Sequence, residues 1–169
     1  MSAALRVAVL TVSDGVSAGT RQDRSGVVLR EAALAAGHEV AHQAVVPDER
    51  ERIAEALRRL CDDDAVDLVL TTGGTGFAPR DVTPEATGDV LERLSPGIDQ
   101  ALRADALLHT PHGMLSRGIS GTRRQTVVVN LPGSPKACAE GWAVLEPVVA
   151  HASRLLRAEP TSHEPARKR

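Results

Sequence analysis

The order of elements predicts an α/β fold, a three-layer α/β/α arrangement around a mostly parallel sheet that contains one antiparallel strand. Three observations predict it. Strand-like runs at 5–12, 39–46 and 67–72 alternate with helical patterns at 24–36 and 48–60. Alternation on this scale favours parallel pairing with helices on both faces. The third run ends in glycines 73, 74 and 76 and leads to a helix start at Thr83 and Pro84, the strand–turn–helix punctuation of such folds. Finally, two extended runs at 114–120 and 125–131 flank a turn at 121–124. They read as a hairpin, which reverses one strand.

Each element has a local reason. Residues 5–12 are Val-rich and end at Ser13, Asp14 and Gly15, so they read as a buried first strand. The helix over 24–36 is closed by Gly37, a residue free to take the left-handed conformation that ends helices. The strand at 39–46 runs into Asp48, with Glu51 three residues on, a pattern that resembles a capping box. Ile53, Leu57 and Leu60 then make one apolar stripe at helical spacing. Two further helices are expected near 84–94 and 96–108. Ser134 and Pro135 form an N-cap and first-turn pair, and Pro147 is expected to split the last helical region. Residues 1–158 read as a single domain. Residues 159–169, polar with two prolines and a terminal Arg-Lys-Arg, read as a disordered, dispensable tail.

Composition narrows the function. A chain of 169 residues with 42% hydrophobic and 25% charged content has enough apolar material for a real core. Phe77 and Trp142 are the whole aromatic complement, so stacking platforms for single-stranded nucleic acid are nearly absent. A net charge of −2 gives no general attraction to polyanions. The apolar run at 7–12 is too short for a membrane span. Cys61 and Cys138 lie in helical patterns with no ligand spacing, so buried free thiols in a reducing, cytoplasmic setting are expected. The six histidines show no ligand spacing either, and no zinc is inferred.

The stretch from Leu68 to Glu85 carries the chemistry. An apolar strand runs into Gly73, Gly74 and Gly76, which permit a sharp turn and close approach to a ligand. N–H groups in such a turn converge on anions, and the next helix adds a partial positive charge. No Gly-Lys-[Ser/Thr] follows, which excludes a Walker loop, and Phe77-Ala78-Pro79 stands where a dinucleotide fingerprint needs its third glycine. The bland alternative is an ordinary tight turn. Asp81 sits beside this candidate anion site. A carboxylate there implies a divalent cation or a proton to move, and its bland alternative is a turn-former. Together these point to phosphate or nucleotide chemistry.

Five ordered segments resemble the MogA/MoaB family of molybdenum-cofactor biosynthesis. They are Thr11-Val12-Ser13-Asp14-Gly15, Val46-Pro47-Asp48-Glu49, the glycine loop with Arg80-Asp81-Val82-Thr83-Pro84-Glu85, Leu115-Ser116-Arg117-Gly118, and Asn130-Leu131-Pro132-Gly133-Ser134-Pro135. The resemblance spans about 5–157 and implies a molybdopterin adenylyltransferase, which moves AMP from Mg-ATP to molybdopterin and releases pyrophosphate. It implies Asp48 and Asp81 as catalytic and Mg²⁺-holding carboxylates. It implies substrate contacts from Ser13, Asp14, Thr72, Gly73, Gly74, Thr75, Gly76, Thr83, Glu85, Ser116, Arg117, Asn130, Pro132, Gly133 and Ser134. A homotrimer and a molybdate-insertion protein as partner are further implications; nucleic acid and membrane are not.

Several of these residues also have a structural reading. Asp48 is well placed as a helix N-cap, Ser13 and Asp14 as a simple turn, and Arg117 as partner of a surface carboxylate. Arg80, Arg123 and Arg124 read as solvated charges. Gly74→Val is expected to block ligand approach while sparing the fold. Two other functions stay open: a molybdopterin-binding carrier or interaction protein without transferase activity, and a domain like those of molybdate-insertion or competence-damage proteins. Presence of both Asp48 and Asp81 favours the enzyme.

Overall fold

The computed structural model describes residues 4–62 and 66–158. The expected tail at 159–169 lies outside the described residues. In chain order the elements are β1 (Arg6–Val12), α1 (Asp14–Ser17), α2 (Arg24–Ala35), β2 (Glu39–Val46), α3 (Arg50–Asp62), β3 (Leu68–Thr72), α4 (Thr83–Gly88), β4 (Arg93–Leu94), α5 (Pro96–His109), a 3₁₀ turn (Pro111–Leu115), β5 (Ser120–Arg123), β6 (Thr126–Leu131) and α6 (Pro135–Leu156).

Among the described residues the sheet has six strands in the order β2-β1-β3-β6-β5-β4. β1 pairs in parallel with β2 and β3, and β3 with β6, while β5 is antiparallel to both β6 and β4. One strand, β5, therefore runs against the rest, as expected. Alternate residues of β1 feed two cores. Val7 and Val9 pack with Leu29, Leu145 and Val149 from α2 and α6. Ala8, Leu10 and Val12 pack with Ile53, Leu57 and Ala86 from α3 and α4. Each such Val or Leu contributes roughly 1.5–3 kcal/mol by leaving water, and burial on both faces holds the central strands in register.

Four boundaries differ from expectation. The helix expected over 84–94 ends at Gly88. Beyond it the Glu92 and Ser95 amides donate to Thr122 O and Ser120 O at 2.9 Å each, so the chain extends the sheet as β4. The hairpin turn lies at Arg124 and Gln125, with Arg124 at φ 49°, not at 121–124, and its first strand is Ser120–Arg123 rather than 114–120, where the 3₁₀ turn and a loop lie instead. Gly121 is a strand residue, and it must be glycine because a Cβ there would come within 2.2 Å of Arg93 O across the β4–β5 pair. Pro147 does not split α6. Both Pro147 and Ala143, whose carbonyl loses its helical donor, face solvent, so water replaces the missing bond. Asp48 does not open α3 as an N-cap, since the helix begins at Arg50 and the carboxylate is engaged elsewhere.

Candidate active site

The register aligns the carboxyl ends of four strands. Val12 pairs with Val46, Thr11 with Thr72, and Thr72 with Leu131. Ser13, Asp48, Gly73 and Pro132 thus leave the sheet at one edge. The chain departs from β1 to β2 on one side and returns to β3 on the other. That reversal creates the crevice where open α/β sheets bind ligands. A cleft of about 370 Å³ occupies it, with Ser13, Asp48, Thr72, Gly73, Gly74, Asp81 and Gly133 in its wall. A neighbouring hollow of about 390 Å³ shares Asp48 and adds Pro79, Arg80 and Val82.

The glycine turn is built by Thr83. Its hydroxyl donates to Gly73 O at 2.9 Å and its amide to Gly74 O at 3.1 Å. Both carbonyls are therefore drawn into the wall. The N–H groups of Gly74, Thr75 and Gly76 find no acceptor among the described residues, which leaves a set of donors suited to an anion. Gly73 and Gly74 have φ of 100° and 64°. A Cβ on Gly74 would lie 2.4 Å from Thr83 Oγ1 and 3.1 Å from Asp48 Oδ1. Gly74→Val therefore strains the backbone and clashes with the wall, so it does not spare the fold.

The acidic side of the cleft is a cross-braced pair. The Asp14 amide donates to Asp48 Oδ2 at 2.7 Å, and the Asp48 amide donates to Asp14 Oδ1 at 3.0 Å. Arg80 grips Asp14 through both oxygens at 2.8 and 2.9 Å, so Arg80 is paired rather than merely solvated. That hydrogen-bonded guanidinium holds the Asp14 carboxyl below its usual range. Asp48 is pushed the other way, first by burial and then by the charges of Asp14 and Asp81. An acid so placed is relieved by a cation or a proton. Asp81 Oδ2 accepts from the Ala78 amide at 2.9 Å, so the turn-forming role is real and leaves the other oxygen for a ligand.

Other expected contacts serve the scaffold. Arg117 is ion-paired with Glu85 and donates to Gly76 O and Asp81 O at 2.7 Å each, while its amide donates to Thr75 O. It stitches the glycine loop to Asp81 and turns no free fork toward phosphate. Asn130 is 4% exposed and spends its side chain on the Thr71 and Thr87 hydroxyls and the Ile119 amide. Thr72 donates to Pro132 O at 2.8 Å, which ties the ends of β3 and β6 together. Ser13 and Ser134 cap α1 and α6. Ser116 Oγ accepts the Gly118 amide. Arg123 and Arg124 pair with Asp62, away from the cleft residues. The cleft also contains Arg21, Gln22, Arg24 and Ser25, which sequence reasoning missed. They lie about fifty residues from the glycine loop in sequence, in no motif, and only the crossover from β1 to α2 brings them to the edge.

The family described as "Probable molybdopterin binding domain" matches residues 8–151. The chain belongs to that family. It is 36% identical to a molybdopterin adenylyltransferase of Helicobacter pylori strain J99, covering 90% of this chain and 88% of that protein. It is 41% identical to gephyrin of Dictyostelium discoideum over 94% of this chain, but spans only 23% of gephyrin. The crystal structure of the molybdopterin biosynthesis enzyme MoaB from Thermus thermophilus superposes with a TM-score of 0.86 at 44% identity, covering 94% and 99% of the two chains. The three-layer fold, with its mostly parallel six-stranded sheet, is that of these family members.

Proposed function

We propose that this chain is a molybdopterin adenylyltransferase acting in molybdenum-cofactor biosynthesis. The observation that carries the reading is the placing of Asp48 and Asp81 in one cleft beside the glycine turn with its unpaired amides. The likeness to the Helicobacter pylori enzyme, along most of both chains, supports it.

The reaction joins a phosphate oxygen of molybdopterin to the α-phosphorus of ATP and breaks the bond to the β-phosphate, releasing pyrophosphate. A phosphate nucleophile already has a free lone pair, so base catalysis is a minor need. The difficulty is repulsion between two anions. The glycine-turn amides hold one phosphate at fixed distance and supply positive partial charge. Asp48 and Asp81 fit Mg²⁺: two neighbouring carboxylates, one of them raised by its surroundings, attract a hard cation. Among the described residues no group of three or more His, Cys, Asp or Glu makes a complete cage, so the remaining ligands would be phosphate oxygens and water, the usual Mg²⁺ habit. When bound, the ion supplies charge neutralisation. Incubating the purified protein with molybdopterin and Mg-ATP should yield adenylylated molybdopterin and pyrophosphate. A bound but unmodified pterin would leave a carrier.

Gly133 offers a cleaner steric probe than Gly74. It is exposed on the cleft wall, and a Cβ there would sit in ordinary contact, 3.4 Å from Gly73 Cα. Gly133→Val is expected to weaken molybdopterin binding about tenfold or more while moving the melting temperature little, since exposed substitutions cost about 0.5 kcal/mol. Unchanged affinity by titration would remove this wall from the site.

The reading includes a homotrimer, with the adenylylated product passed to a molybdate-insertion protein. Leu107, Leu108, Met114 and Leu115 lie exposed along the end of α5 and the turn after it, Leu108 at 82%. A patch of that kind marks an association surface. Leu108→Glu is expected to shift the protein toward monomer in sedimentation; an unchanged oligomer would place the interface elsewhere. Among the described residues no helix is long and apolar enough to cross a membrane. The two free, buried thiols favour the reducing, cytoplasmic setting proposed from sequence.

A further inference from the structure

We infer that Ser25, Arg21 and Arg24 form a phosphate-binding corner of the cleft, supplied by the segment between β1 and α2. The inference rests on the adenylyl-transfer reading only for the identity of the phosphate it takes.

All three residues line the cleft that holds the glycine turn, Asp48 and Asp81. Ser25 is 8% exposed, yet its hydroxyl makes no hydrogen bond among the described residues. The oxygen is not among the fully buried, unsatisfied side-chain atoms, so it stays reachable as a free donor. Here the open direction is the cleft. Arg21 and Arg24 take part in no ion pair among the described residues, unlike Arg80 and Arg117 on the other loops of this edge. Arg21 is also seated. Its stem crosses Gly15, where a Cβ would come within 2.6 Å of Arg21 Cδ. The carboxylate of this segment, Asp23, is spent internally, accepting from the Gly26 amide at 2.9 Å and the Thr11 hydroxyl at 2.8 Å.

Two guanidinium forks and a hydroxyl donor match phosphate oxygens. They complete a division of the cleft. Asp48 and Asp81 attract a cation, while the Arg21–Arg24 corner takes an anion directly. A chain of phosphates spanning both is held at separate points. The phosphate belongs to the nucleotide or to the pterin.

Calorimetric titration of the full chain with inorganic tripolyphosphate, without Mg²⁺, tests the corner. Arg21→Ala and Arg24→Ala should each weaken binding about tenfold, and the double variant more, with a shallower salt dependence. Ser25→Ala should weaken it several-fold at unchanged melting temperature, because no partner within the fold uses that hydroxyl. Gly15→Ala, which keeps every charge but displaces the Arg21 stem, should reproduce part of the Arg21→Ala loss. Repeating the titrations with ATP and with molybdopterin identifies the source: a loss confined to one assigns the corner to that phosphate. Wild-type tripolyphosphate affinity in the double variant overturns the inference even if the wild-type protein transfers AMP. Arginine-dependent tripolyphosphate binding in a protein that transfers no AMP sustains the corner and removes only the adenylyl-transfer reading.

Discussion

Asp81→Asn is expected to lower AMP transfer at least about a hundredfold, the scale of losing one key electrostatic group, while molybdopterin still binds. The structure makes this substitution well matched. One Asp81 oxygen accepts the Ala78 amide at 2.9 Å, and the Asp81 carbonyl accepts from Arg117 at 2.7 Å. Asparagine keeps both acceptors, so the loop from Gly73 to Thr83 should stay closed. What is lost is one negative charge beside Asp48. If that charge serves metal affinity, raising Mg²⁺ should restore part of the rate. If it serves as a base, added metal should do nothing. Turnover near wild type would shift the assignment to Asp48 or to the carrier reading.

Asn130→Leu is expected to cost on the order of 3 kcal/mol of folding stability, from several buried polar groups left short of partners at about 1–3 kcal/mol each. The Asn130 amide donates to Thr71 and Thr87 at 2.9 Å each and accepts the Ile119 amide at 3.2 Å. These partners come from β3, α4 and the segment before β5, so a single side chain joins three parts of the cleft floor. Leucine fills a similar volume and serves none of them. Urea denaturation should show a lower midpoint with little change in slope. Lost ligand binding at unchanged stability would instead return Asn130 to the role that its motif suggested.

These two residues show how far sequence reasoning reaches and where it stops. Asp81 was legible as a candidate because strand, glycine turn and helix start are contiguous, which puts a carboxylate beside the turn. Its turn-bracing bond was a local option, open from the start. Asn130 was legible as important but not in its role. A motif marks that a side chain is needed, while the partners at Thr71 and Thr87 lie far along the chain. Arg117 follows the same rule: whether a guanidinium meets a phosphate or Glu85 depends on which loop folds beside it.

The sequence by itself determined the layer order, the strand cores and the glycine turn at the end of β3. Those follow from period-two and helical apolar spacing, glycine placement and caps, all effects within a few residues. It also carried the family, through five ordered segments. Tertiary structure decided the rest. It ended α4 early because Thr122 O and Ser120 O offered the amides of Glu92 and Ser95 a better use than another helical turn. It let Pro147 stay inside α6 because that face meets water. It turned Asp48 from a helix cap into one half of a reciprocal brace with Asp14. It also carried Ser25, Arg21 and Arg24 to the cleft. Apart from Pro147, which depends on which helix face the fold leaves in water, each of these outcomes depends on a partner distant in sequence, and only closing the sheet brings such partners within reach.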